Sequence, residues 1–116
     1  FYTIKLSKES HEPTNQTLPI YLSDLFTTQQ ENFYDHKFPY TNFYLTDINI
    51  FRDQSIQNVL TLLETNDDQF IYRWGDLPII GSLLNYFSYD IKILKNAKYL
   101  HMSHDTNISS RKFFKF

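Results

Sequence analysis

Cysteine is absent from this chain, glycine occurs twice, and tryptophan and methionine once each. Without cysteine there is no disulfide framework and no thiolate metal site, although the compartment stays open. With glycine only at Gly75 and Gly81, no Gly-rich phosphate loop and no Gly-x-Ser-x-Gly elbow can form. Nucleotide-loop and serine-hydrolase chemistries are therefore disfavoured. No window approaches the roughly 20 apolar residues that a membrane span requires, and no signal peptide is visible. Long basic runs and acidic tracts are also missing, and the net charge is −2, so nothing points to nucleic acid.

What is abundant is aromatic. Phe, Tyr and Trp make up 18% of the 116 residues. Together with the many Asn, Ile and Lys residues this fits an AT-rich coding bias, which accounts for part of the excess. The length allows one domain with one modest core. The chain starts at Phe1 and reads at once as a strand, Tyr2 to Leu6. A strand partner must exist, and we expect the chain to be cut from a longer protein.

Residues 7–17 are polar and read as a loop, with Thr17 as a candidate N-cap and Pro19 in the first turn of a helix. Leu18, Leu22, Leu25 and Phe26 then recur at helical spacing to about residue 31. Residues 40–51 are rich in β-formers, and period 2 sends Phe43 and Leu45 one way and Asn42, Tyr44 and Thr46 the other. Asp53 is placed to cap a helix with Ile56, Val59, Leu60 and Leu63 on one stripe, stopped by Asn66-Asp67-Asp68. Gln69 to Trp74 reads as a short strand. Asp76 to Phe87 reads as a helix with Ile79, Ile80, Leu83, Leu84 and Phe87 inward. Asp90 to Leu94 reads as another strand, and the tail from Asp105 has no period. This alternation predicts an α/β arrangement, a mixed sheet with flanking helices.

The chemistry concentrates at Tyr72-Arg73-Trp74-Gly75-Asp76-Leu77-Pro78, at an expected strand-to-helix junction. Asp76 can cap the helix, worth about 1 kcal/mol, or face a ligand beyond the strand end. The two roles can coexist. Trp74 can belong to the core, or form the wall of a sugar site beside Gly75. Arg73 can pair with a carboxylate of the chain or hold an acidic ligand group. Elsewhere, His101, His104 and Asp105 fall at i, i+3 and i+4. A closed zinc site needs about four ligands, so one His completing a metal site built mostly elsewhere is the better reading. Asn15-Gln16-Thr17 and Asn107-Ile108-Ser109 match the glycosylation acceptor pattern.

In this arrangement the chain resembles the fungal α-1,2-mannosyltransferases of glycosyltransferase family 15. The family pattern Phe-Tyr-Glu-Arg-Trp-Gly-Asp-Ala-Pro is similar to Phe70-Ile71-Tyr72-Arg73-Trp74-Gly75-Asp76-Leu77-Pro78. Its Ser-Asn-Phe-Glu-Ile-Ala-Asp and Phe-Arg-Ser look like Thr41-Asn42-Phe43-Tyr44-Leu45-Thr46-Asp47 and Phe51-Arg52-Asp53. Its Gly-Tyr-x-His looks like Lys98-Tyr99-Leu100-His101. The resemblance covers about residues 1–101.

The resemblance implies a partial GT-A-type domain over residues 1–104, its acceptor-side half, followed by an irregular tail over 105–116. It implies retaining transfer of mannose from GDP-mannose to a glycan acceptor in the Golgi lumen, with Mn²⁺ on the diphosphate. Asp76 then belongs to the sugar site, Arg73, Trp74, Asn42 and Tyr99 shape the substrate pocket, and His101 is the metal ligand. Two departures follow. Tyr44 stands where the family has its nucleophilic Glu, and a phenol of pKa near 10 is a poor replacement, although Tyr nucleophiles occur in some glycosidases. The family's upstream half, with its nucleotide site and Glu-Pro metal motif, has no counterpart in the sequence. The chain alone is therefore expected to bind GDP-mannose weakly. A catalytically degenerate sugar-binding module is the alternative.

Overall fold

The computed structural model describes residues 1–27 and 36–97. Among the described residues ten elements run β1 (Tyr2–Thr3), β2 (Leu6–Ser7), α1 (Glu12–Phe26), β3 (Phe38–Pro39), β4 (Tyr44–Leu45), α2 (Ile48–Arg52), α3 (Gln54–Glu64), α4 (Asp68–Ile71), α5 (Asp76–Tyr86) and β5 (Lys92–Ile93). The result is a small mixed α/β domain.

The first strand has its partners within the chain, on both sides. β1 lies between β4, antiparallel with Tyr2 opposite Leu45, and β5, parallel with Tyr2 opposite Lys92. The strand expected over residues 2–6 is split. Buried Thr3 sends its hydroxyl to the carbonyls of Tyr40 (2.8 Å) and Lys5 (3.1 Å), and this pins a bend at Ile4-Lys5. Beyond the bend, β2 joins a separate two-stranded sheet with β3, Ser7 opposite Phe38.

The N-cap of α1, His11, lies six residues before the expected cap at Thr17. His11 has extended N-cap geometry, Glu12 is the acid of the first turn, and Pro13 lies where a missing N–H is harmless. Thr17 and Pro19 therefore sit inside the helix. The early turns carry no apolar period because their inward residues, Thr14 and Asn15, are polar; both are buried. The helix ends at Phe26, not near residue 31, with Thr27 in the left-handed region (φ 52°).

α3 follows the expected pattern. Asp53 Oδ1 accepts from the Ser55 amide at 2.8 Å, and Ile56, Val59 and Leu63 are buried. The β-rich run over 40–51 keeps only Tyr44–Leu45 as strand, because the Asp47 side chain caps Asn49 N (2.9 Å) and starts α2. The strand expected over Gln69 to Trp74 is instead a helical turn, α4, closed by a 6→1 hydrogen bond from Trp74 N to Gln69 O (2.9 Å). The strand expected from Asp90 to Leu94 shortens to β5.

Leu18, Leu22 and Phe26 of α1, Phe38 of β3, Ile56, Val59 and Leu63 of α3, Trp74, and Leu83 of α5 form the core. Ile79 and Phe87 are half-buried against it, and Ile80, also expected inward, is half-buried apart from that cluster. α5 rests directly on β3 at Gly81, where a Cβ would lie 2.3 Å from Phe38 Cδ1. The scarcity of glycine has a second consequence. Left-handed backbone at helix ends falls to Thr27, Arg73 (φ 56°) and Ser88 (φ 59°), positions where glycine is the usual choice.

Among the described residues no helix is long and apolar enough to cross a membrane.

Candidate functional site: the Arg73–Asp76 turn

Four hydrogen bonds fix the turn between α4 and α5. Trp74 N closes the end of α4, as above. The Trp74 indole Nε1–H donates to Thr17 Oγ1 at 2.8 Å. Thr14 Oγ1 lies 3.1 Å from the Tyr72 carbonyl oxygen and 3.2 Å from that of Arg73. Thr14 and Thr17 lie one turn apart on α1, so one helix face holds both the turn's backbone and its indole.

Trp74 is a core residue. It is 6% exposed, and its ring packs against Tyr21 with centroids 5.2 Å apart. The indole is the anchor beneath the turn, and its neighbours face outward. Arg73, Gly75 and Asp76 are all exposed.

Asp76 is the first residue of α5, not its N-cap. That place belongs to Gly75, which has no side-chain cap. Asp76 Oδ1 accepts from the adjacent Leu77 amide at 2.9 Å. An acid in the first turn is favourable with the helix dipole by about 0.3–1 kcal/mol, and an exposed carboxylate keeps acceptor capacity for a ligand hydroxyl. The left-handed Arg73 does not by itself signal function. It terminates a helix as Ser88 does, where Tyr89 N reaches Leu84 O at 2.8 Å.

The other expected residues lie on a different element. Tyr44 is on β4, its ring stacked on Phe1 with centroids 4.8 Å apart and planes 16° apart. Asn42 is exposed, and its Nδ2 donates to Tyr40 Oη at 3.0 Å. Phe43 and Leu45 line an open groove with Leu94 and Ala97, and Tyr44 is not part of that lining. No hydrogen bond or ring contact among the described residues joins Asn42 or Tyr44 to Arg73, Trp74 or Asp76. Tyr99, His101, His104 and the tail from 105 lie outside the described residues.

Among the described residues no group of three His, Asp or Glu side chains could hold a metal. His36 meets Asn85 Nδ2 and packs on Phe38, and burial pushes its pKa below the usual imidazole value. His11 approaches Thr14 with Nδ1 at 2.8 Å from Oγ1. Neither His11 nor Thr14 was singled out for the turn from the sequence, because 58 residues separate Thr14 from Tyr72. At the first acceptor pattern, Asn15 is buried within α1 and its Nδ2 donates to Glu9 O at 2.8 Å. The folded chain therefore does not offer Asn15 for glycosylation. The chain matches none of the protein-family models, curated proteins or solved structures compared with it.

Proposed function

We propose that this chain is the acceptor-side part of a GT-A-type, mannosyltransferase-like domain, in which Arg73 and Asp76 contact a hexose. The observation that carries the reading is the turn itself. An exposed guanidinium and an exposed carboxylate sit three residues apart on backbone anchored from below by Trp74, Thr14 and Thr17. A sugar offers hydroxyls that both accept and donate; a fixed donor fork beside an acceptor suits vicinal hydroxyls. Preorganisation of this kind lowers the ordering cost of binding.

In this reading the donor is GDP-mannose and the acceptor a mannoside glycan, in the Golgi lumen. His101 contributes a ligand to Mn²⁺, which would offset charge on the leaving diphosphate. The test is mannose transfer from GDP-mannose with Mn²⁺ by the full open reading frame, comparing wild type with Asp76→Asn. The reading expects transfer to fall at least tenfold in the variant. Unchanged turnover reduces Asp76 to a first-turn acid.

A second reading, a catalytically degenerate sugar-binding module, is favoured by Tyr44. Its ring is packed face to face on Phe1, and its phenol stands at the family's carboxylate position. Transfer gained by Tyr44→Glu supports a degenerate enzyme. Mannoside binding without any gain of transfer supports the module.

A further inference from the structure

Thr14 is fully buried, and its single hydroxyl has three polar neighbours: Tyr72 O at 3.1 Å, Arg73 O at 3.2 Å and His11 Nδ1 at 2.8 Å. A threonine hydroxyl carries one hydrogen and two lone pairs, whereas a carbonyl oxygen only accepts. Neither carbonyl has another donor among the described residues. Both contacts are part-buried and at hydrogen-bond distance, and an oxygen that only accepts can meet the hydroxyl there only by receiving its hydrogen. The hydroxyl hydrogen is therefore shared between the two carbonyls, and Thr14 Oγ1 accepts from His11.

We infer that His11 is held as the Nδ1–H tautomer and, acting through Thr14, is the positioning residue of the Arg73 turn. The His11 backbone is itself tied at both ends. Its N–H donates to Glu9 Oε1 at 2.9 Å, and its carbonyl accepts from Asn15 N at 3.0 Å. The ring thus rests on fixed backbone at the start of α1 and reaches the end of α4 through one hydroxyl. Nε2 becomes the lone-pair nitrogen, opposite to the tautomer that imidazole side chains favour in water. The relay needs no ligand, so it stands or falls separately from the sugar reading.

The experiment is a long-range ¹H–¹⁵N correlation spectrum of the ¹⁵N-labelled chain at pH 8, where imidazoles are neutral. For His11 we expect a pyrrole-type Nδ1 and a pyridine-type Nε2. In Thr14→Val the His11 pattern shifts toward Nε2–H and the Arg73 amide resonance moves; Thr14→Ser restores both. His11→Ala, a change at a half-exposed site, moves the Arg73 amide without unfolding the chain. An Nε2–H pattern in the wild type overturns the inference, as does an unmoved Arg73 amide in His11→Ala. Should Thr14→Val fail to fold, the wild-type spectrum and His11→Ala still decide it.

Discussion

In a helix interior, replacing glycine by alanine ordinarily stabilises by about 0.8–1 kcal/mol. At Gly81 the opposite is expected. A Cβ there would lie 2.3 Å from Phe38 Cδ1, 2.8 Å from Phe38 Cβ and 2.9 Å from Cγ. The distal ring atom could swing away, but Cβ is tied to the β3 backbone, which is paired to β2 at Ser7. Phe38 is also 1% exposed, with no open space to enter. Overpacking of this kind costs about 1–3 kcal/mol and sometimes more. A 2.3 Å approach belongs at the upper end of that range; less the propensity gain, Gly81→Ala should lose about 2 kcal/mol, a fall in Tm on the order of 10 °C for a domain of this size. Urea and thermal unfolding, followed by circular dichroism, measure it directly. Phe38→Leu should relieve part of the clash, so the double variant should show a coupling of about 1 kcal/mol or more. A Gly81→Ala variant as stable as wild type, or more stable, would refute the packing of α5 on β3.

Trp74→Phe removes the indole donor to Thr17 and leaves a void, and should cost about 2–3 kcal/mol in urea unfolding. The same burial makes the only Trp emit blue-shifted and resist acrylamide quenching; a readily quenched, red-shifted emission would contradict a core Trp74. Arg73→Gly and Ser88→Gly should each raise stability by about 1 kcal/mol, because both replace left-handed non-glycine residues. Only Arg73→Gly should weaken mannoside binding, and equal effects on binding would argue against the guanidinium. The Asp53 carboxyl lies below its usual range, first through its bond from the Ser55 amide and then through the Tyr89 hydroxyl. Its pKa is lower folded than unfolded, so its contribution is complete above the unfolded value of about 3.9 and is lost as pH falls through the folded one. The acid limb of a stability–pH curve should therefore flatten in Asp53→Asn, and an unchanged limb would contradict the cap.

Apolar periodicity made α3 legible, because its inward residues are Ile56, Val59 and Leu63 at helical spacing. It found α5 as a helix but only part of its inward face, which buries Pro78, Gly81 and Ser82 beside Leu83 and Leu84 while Ile79, Ile80 and Phe87 stay half-buried. It failed at the start of α1, where Thr14 and Asn15 face inward and carry hydrogen bonds rather than apolar surface. It failed again at Phe70 and Ile71. These apolar residues looked like a strand, yet both are exposed on a single helical turn whose form is set by Asn66, Asp67 and the Trp74 amide. At the candidate site the exposed pair, Arg73 and Asp76, was evident from residue type alone. The burial of Trp74 goes with a partner 57 residues away, a relation no local pattern carries. Tyr44 was correctly set on a strand, but its stacking on Phe1 depended on how β1 and β4 pair.

The most direct test of the central claim is a ¹H–¹⁵N titration of the 116-residue chain with methyl α-mannoside at millimolar concentrations. The account predicts saturable shifts confined to the amides of Arg73 to Leu77, lost in Asp76→Asn while the remaining spectrum is unchanged. Absence of shifts at that turn, or saturable shifts elsewhere that survive Asp76→Asn, would contradict it.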